Sequence, residues 1–181
     1  MIIGVTGTLG AGKDTISDYL QKRGYFHFSL SDAIRAECDK RGLPKDRDTL
    51  TKLANELRAE EGYDTLAKRA LEAIKKSNAK NVVITSIRNP KEVQYLKNQD
   101  KFLLIAVDAP IELRYKRITE RQREGDQINF EKFKKQEERE MAGGAGKQNL
   151  RQIIQMANHV IINNKTFENF YEKIKNILKN Y

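Results

Sequence analysis

Gly7-Thr8-Leu9-Gly10-Ala11-Gly12-Lys13-Asp14-Thr15 is the stretch on which the reading of the fold turns. It follows Ile2–Thr6, an apolar and β-rich run that reads as a buried strand, and it precedes Ile16, Tyr19 and Leu20, whose spacing is helical. A Gly, four residues, then Gly-Lys between a strand and a helix is a phosphate-binding arrangement. The glycines let backbone N–H groups turn inward around phosphate oxygens, Lys13 reaches the terminal phosphates, and the helix adds its positive end. Gly7 through Thr15 are thus candidate contacts to a nucleotide. Such loops follow Lys with a hydroxyl residue that binds Mg²⁺. Here Asp14 stands at that place and Thr15 comes one later, so either Asp14 meets the metal, directly or through water, or Thr15 substitutes by a small shift.

Working outward, Tyr25–Ser29 reads as a second strand, Asn81–Ser86 as a third, Phe102–Val107 as a fourth and His159–Asn163 as a fifth. Leu50, Leu53, Ala54 and Leu57 form one helical stripe, and Tyr63, Leu66, Ala67, Ala70, Leu71 and Ile74 another. Asn89-Pro90 opens a short helix, and Asp108-Ala109-Pro110 is a cap-and-proline start for a long basic one. Phe167, Phe170, Tyr171, Ile174, Ile177 and Leu178 give a closing helix. Residues 125–149 lack a clean period and contain Gly143-Gly144-Ala145-Gly146, so part of this stretch is expected to be mobile. Strands separated by helical segments predict an α/β, three-layer α/β/α sandwich with a five-stranded parallel sheet. With no internal repeat and no Pro/Ser linker, one domain spans 1–181. Its core is expected at roughly 1–30, 78–114 and 149–181, with helical inserts at about 31–77 and 115–148.

The composition narrows the partners. The chain has 181 residues, 34 Lys and Arg against 25 Asp and Glu, and a formal net charge of +9. That sign admits nucleic acid, but the bases are interleaved with acids, as in Lys134-Lys135-Gln136-Glu137-Glu138-Arg139-Glu140, a pattern of solvated helix faces rather than a binding stripe. The apolar runs are strand length, far short of a membrane span. Met1 leads straight into a strand without a basic-then-apolar leader, so the cytosol is the expected place. Cys38 is alone, which excludes an internal disulfide and a Cys-rich zinc site. His27 and His159 lie in strands and are expected to be structural. Gly143 to Lys147 follows no strand and is not a second phosphate loop. Asn164-Lys165-Thr166-Phe167 lacks the Asp of a guanine-reading loop, which leaves ATP as the expected donor.

With these residues in place, the sequence resembles the P-loop nucleoside and deoxynucleoside monophosphate kinases and their dephospho-CoA-kinase-like relatives. The Gly-Lys-Asp-Thr variant in particular looks like that of phage-type deoxynucleoside monophosphate kinases and phosphomevalonate kinase. Phe28-Ser29-Leu30-Ser31-Asp32-Ala33-Ile34-Arg35 is similar to the segment whose arginine clamps the acceptor phosphate, with Ser31 replacing a Gly, and so implies Arg35 for that role. Ile84-Thr85-Ser86-Ile87-Arg88 is similar to the run that carries a second clamp, which implies Arg88; guanidinium forks suit bidentate phosphate binding. Where the relatives place an Asp to hold magnesium's waters, this chain has Thr85. The carboxylate and hydroxyl around Mg²⁺ are therefore expected to have exchanged places, with Asp14 from the loop and Thr85 or Ser86 from the strand end.

Arg114, Arg117 and Arg121 share one helix face and resemble the arginines of a lid that closes over the transferring group; Arg117 and Arg121 are the preferred pair, Arg123 a further candidate and Arg114 structural. Asn163-Asn164-Lys165-Thr166 is similar to the turn that packs near the donor's adenine. Arg58 sits off the 50/53/54/57 stripe, so it is expected to face solvent or ligand as an acceptor contact. The resemblance implies ATP and Mg²⁺, a small phosphorylated acceptor, and transfer of a γ-phosphoryl group to a nucleoside or deoxynucleoside monophosphate. If the acceptor is instead a ribose hydroxyl, as in dephospho-CoA, Asp32 is the natural carboxylate beside it. A nucleotide-dependent nucleic-acid-binding protein is the remaining alternative.

Overall fold

In a computed structural model, which describes residues 1–121, 128–143 and 149–181, five parallel strands run in the order β2-β3-β1-β4-β5. They are β1 (Ile2–Gly7), β2 (Phe26–Ser29), β3 (Val82–Thr85), β4 (Phe102–Asp108) and β5 (His159–Ile162). The apolar N-terminal run becomes the central strand: Ile3 pairs in register with Val83 on one side and Leu103 on the other. A strand buried on both faces has no polar positions to spare, which explains the continuous apolar reading of β1 and β4.

Helices cover both faces. The helices α1 (Lys13–Gln21) and α9 (Phe167–Leu178) close one side, where Ile3, Val5, Ile16, Leu20, Val83, Ile105, Phe170 and Ile174 form one apolar cluster. The helices α2 (Leu30–Arg41), α3 (Arg47–Glu61), α4 (Thr65–Ser77) and α5 (Pro90–Lys97) close the other, where Leu30, Leu57, Leu66, Ile84, Ile87 and Leu96 lie in a second cluster. This is the expected α/β/α sandwich. Alternation along β3 sends Val82 and Ile84 to the second cluster and Val83 to the first, so Thr85 falls on the α1 side.

Three further helices follow: α6 (Ile111–Arg121), α7 (Phe130–Met141) and α8 (Leu150–Gln155). The helix α7 takes up residues 130–141 of the stretch that lacks a clean period in the sequence. Asn129 caps it through an accepted bond from the Lys132 N–H, and Phe133 is fully buried against the ring of Tyr115. Its remaining inward positions, Glu137 and Glu140, are held by arginines, so no apolar period is visible. Gly144 to Lys147, the greater part of the glycine-rich stretch, and the candidate Arg123 lie outside the described residues.

Candidate active site

Ligands of open parallel sheets bind at the carboxyl ends of the strands, where neighbouring connections leave in opposite directions. That place is the end of β1, between β3 and β4, and the phosphate loop fills it. Gly7 has φ 138° and Gly12 φ 107°, left-handed values that L side chains resist. Space enforces the same choice: a Cβ on Gly7 would lie 2.0 Å from the Val107 carbonyl oxygen, and one on Gly12 would lie 2.5 Å from Asn163 Nδ2.

The loop is braced from outside. Thr8 Oγ1 donates to Asp108 Oδ1 at 2.6 Å, and Asp108 Oδ1 also accepts the Ala109 N–H. Asn163 Nδ2 donates to the Ala11 carbonyl at 2.8 Å, and the Asn163 N–H to the Asp108 carbonyl. Asn163 is thus a buried brace of the loop, while Asn164 beside it is exposed. Arg114, 4% exposed, donates to the carbonyls of Ala109 and Leu9 and forks onto Glu137 of α7. The structural role expected of Arg114 is the one seen. The sequence marks Asp108 as a helix cap; its bond to the loop joins residues 100 apart in the chain.

A small cleft is lined by Thr6, Gly7, Leu9, Lys13, Ser86, Ile87, Arg88, Glu140 and Leu150. Two sequence-predicted cations, Lys13 and Arg88, therefore share one cavity. Lys13 Nζ donates to the Thr8 carbonyl at 2.7 Å. Burial, and next the charge of Arg88, pull the Lys13 ammonium down from 10.5 to about 8, while Glu140 and Asp14 oppose the shift. Arg88 lies 3.1 Å from Glu140 Oε1. The Lys134–Glu140 segment is thus not solvated on all faces: Glu137 and Glu140, three apart, turn one side of α7 onto two site arginines.

The basic helix α6 carries two further candidates, Arg117 and Arg121. Arg117 has a buried Nη1 with no hydrogen-bond partner among the described residues, and burial lowers its guanidinium below the ordinary range. Such a donor matches an absent oxygen-rich ligand. Arg121 is exposed at the end of α6, and its charge reaches Lys13. On α2, Asp32 and Arg35 are exposed in the first two turns, and they do not line the cleft. The ends of β2 and β3 are joined next to them by Ser29 Oγ and Ser86 Oγ at 2.9 Å.

Two sequence expectations change. Arg58 does not face solvent or ligand: it is 2% exposed and donates through Nε and Nη2 to Glu92 Oε1 at 3.2 and 2.9 Å. Position 58 is one turn beyond Ala54, so it lies on the buried stripe rather than off it. Thr85 points to the α1 side, with its hydroxyl 2.9 Å from His27 Nε2, and Ser86, at φ 63°, lines the cleft in its place. His27 accordingly has the structural role expected of it. His159, at the sheet edge, stands 3.2 Å from the Tyr181 hydroxyl.

The fit to nucleotide phosphates rests on the glycine cradle and on Lys13 and Arg88, which share the cleft. For the metal, Asp14 is exposed and Thr15 half-buried in the first turn of α1. Among the described residues no group of three His, Cys, Asp or Glu converges on a metal site. Mg²⁺ takes one or two side chains and completes its shell with phosphates and water.

Comparison with known proteins places this geometry. The profile of an AAA domain family matches residues 3–142. A UPF0200 protein of Thermococcus gammatolerans is 33% identical over 184 residues, covering 99% of this chain and 94% of that protein. The chain belongs to the UPF0200 family. It also spans 54% of a longer UPF0200/UPF0201 protein from Archaeoglobus fulgidus, at 33% identity over 98% of this chain. Among solved structures, this UPF0200 chain shares its fold with dephospho-CoA kinase from Campylobacter jejuni, at TM-score 0.58 and 16% identity over 98% of this chain and 95% of that one. Deoxyadenosine kinase from M. mycoides gives TM-score 0.58 and 18% identity over the whole of both chains. The resemblance to P-loop kinases thus holds at the level of the fold. No helix among the described residues is long and apolar enough to cross a membrane.

Proposed function

We propose that this UPF0200 protein is an ATP-dependent kinase of small phosphorylated acceptors, moving the γ-phosphoryl group of ATP to a nucleoside or deoxynucleoside monophosphate. One observation carries the reading: Lys13 of the phosphate loop and Arg88 from the end of β3 line the same cleft. Phosphoryl transfer asks little covalent chemistry of a protein, so cations held in fixed positions around the reacting oxygens account for most of the catalysis. Lys13 and the loop N–H groups bind the donor phosphates. Arg88, with Arg35 from α2, orients the acceptor phosphate. Arg117 and Arg121 balance the charge that spreads over the equatorial oxygens. Residues of about 31–77 act as the acceptor-side insert and those of about 115–148 as the lid. Mg²⁺, when bound, neutralises the β- and γ-oxygens; Asp14 or Thr15 would hold it, with Ser86 better placed than Thr85 to contribute a hydroxyl. On this account Asp14→Ala lowers activity and shifts its Mg²⁺ dependence, and unchanged Mg²⁺ kinetics would remove Asp14 from the metal site.

A second reading, transfer to a ribose hydroxyl, is favoured by the Glu140 carboxylate standing in the cleft beside Arg88. A coupled ADP-release assay over CMP, dCMP, UMP, dTMP, AMP, GMP and dephospho-CoA separates the two. Acceptor-independent ATP hydrolysis together with salt-sensitive RNA binding would displace both in favour of a nucleic-acid partner. For a monophosphate acceptor, Glu140 only competes with the incoming phosphates for Arg88 and Lys13. Glu140→Gln then tightens ATP binding about fivefold, the equivalent of about 1 kcal/mol. Isothermal titration reads this directly, and weaker ATP binding in the variant would show that Glu140 assists the ligand instead.

A further inference from the structure

The segment Ser86–Asn89 carries Arg88 into the cleft without a regular ladder of its own. It leaves β3 through Ser86, a non-glycine residue in the left-handed region at φ 63°. The main chain around Arg88 is instead pinned from two sides. The Arg88 carbonyl accepts the Asn149 N–H at 3.1 Å, while the N–H groups of Arg88 and Asn89 both donate to Glu92 Oε2, at 2.9 and 3.0 Å. Glu92 is 0% exposed, and its other oxygen, Oε1, takes both the Nε and the Nη2 of Arg58. The pairing is lopsided. A guanidinium and a carboxylate prefer two parallel bonds to two oxygens. Here one oxygen receives both donors, and Arg58 Nη1 is left buried without a partner among the described residues. The second oxygen is given up to the main chain of the Arg88 turn.

Burial of an ion pair is a poor route to stability, whereas a fixed pair is a good way to set geometry. We propose that Arg58 is a positioning residue for Arg88, acting through Glu92 and the backbone N–H groups of Arg88 and Asn89. Because Arg58 belongs to α3, the insert and the phosphate-facing arginine are tied into one unit, and the acceptor side of the cleft takes its shape from a contact between residues 34 apart in sequence. The inference rests on the reading of Arg88 as an acceptor contact.

Arg58→Lys keeps the charge but loses the two-point grip on Oε1. In the full chain, hydrogen exchange of the Arg88 and Asn89 amides should quicken at least about tenfold, while the amides of Val5 and Ile105 in the central strands keep their protection. With CMP as acceptor, the KM for CMP should rise about tenfold and the KM for ATP should change less than about twofold, since a displaced clamp affects only the substrate it orients. Should Arg58→Lys fail to fold, the double variant Arg58→Met with Glu92→Gln, which leaves no buried charge unpaired, is expected to give the same two results. Unchanged exchange at Arg88 and Asn89, or a rise in both KM values together, overturns the proposal. If the wild-type chain phosphorylates no acceptor, the kinase reading fails by itself. The exchange measurement and a titration with inorganic phosphate, expected to weaken about tenfold in the variant, still decide the role of Arg58.

Discussion

On the proposed function, Lys13→Ala is expected to remove most phosphoryl transfer, about 10³-fold in kcat/KM, while the protein stays folded. An electrostatic contact aimed at developing charge in a sequestered site is typically worth about two to three orders of magnitude in rate, and Lys13 also contributes to holding the donor in the ground state. The same variant should melt at a higher temperature than the wild type when no nucleotide is present. The cause is the downward displacement of the Lys13 ammonium, from 10.5 to about 8, chiefly by burial. Between about pH 8 and 10.5 the unfolded chain binds a proton at this residue that the folded chain has lost, so the contribution of Lys13 to stability rises with pH across that window. Below about pH 8 both states are protonated and the cost of holding a buried ammonium is present in full, as it is at neutral pH. Deleting the amine removes that cost. Activity runs the other way: kcat/KM for ATP, which reports the free enzyme, should decline above about pH 8 as the charge is lost, by up to about tenfold per pH unit. A thermal melt and a pH–rate profile on the wild type and the variant check both signs. A variant that is less stable and equally active would contradict the assignment of Lys13.

Gly7→Ala should have the largest effect on stability, about 4 kcal/mol, from backbone strain and a clash that cannot relax cheaply. The positive φ of 138° disfavours any Cβ, and the added carbon would lie 2.0 Å from the Val107 carbonyl oxygen and 2.8 Å from the Val107 nitrogen. Both obstacles are main chain of β4, which pairs with β1 along six registered positions, so relief requires the two central strands to part at their ends. Urea denaturation should show a lowered midpoint at unchanged slope. A loss below about 1 kcal/mol would mean that the loop tolerates a different conformation.

The phosphate loop was legible because its signal is local: glycine spacing, a lysine and the flanking periodicities all sit within about twenty residues. The parallel sheet followed from strands buried on both faces. What escaped had its partner far away or its logic inverted. α7 is amphipathic with charged residues on its inner side: Glu137 and Glu140 face arginines, so the polar run concealed a packed helix. Arg58 reads as lying off the 50/53/54/57 stripe, although its place one turn after Ala54 puts it on the buried side; Glu92, on α5, meets its charge inside. Thr85 and Ser86 differ in which face the strand end presents, and the left-handed turn at Ser86 is not written in its neighbours. Asp32 and Arg35 stand exposed on α2, outside the lining of the cleft.

The bracing of the loop also sets the order in which the protein can mature. Thr8 leans on Val107 and Asp108, Leu9 on Arg114, and Ala11 on Asn163. During synthesis the loop emerges about a hundred residues before its first supports and about 150 before its last. Parallel pairings of such long sequence separation are slow to form. The binding segment made earliest is therefore shaped last, and a newly made chain gains its grip on nucleotide only when the whole sheet, through the end of β5, is in place. Nucleotide capture would then act as a readout of completed folding, and nucleotide present at that moment would favour the finished state by mass action.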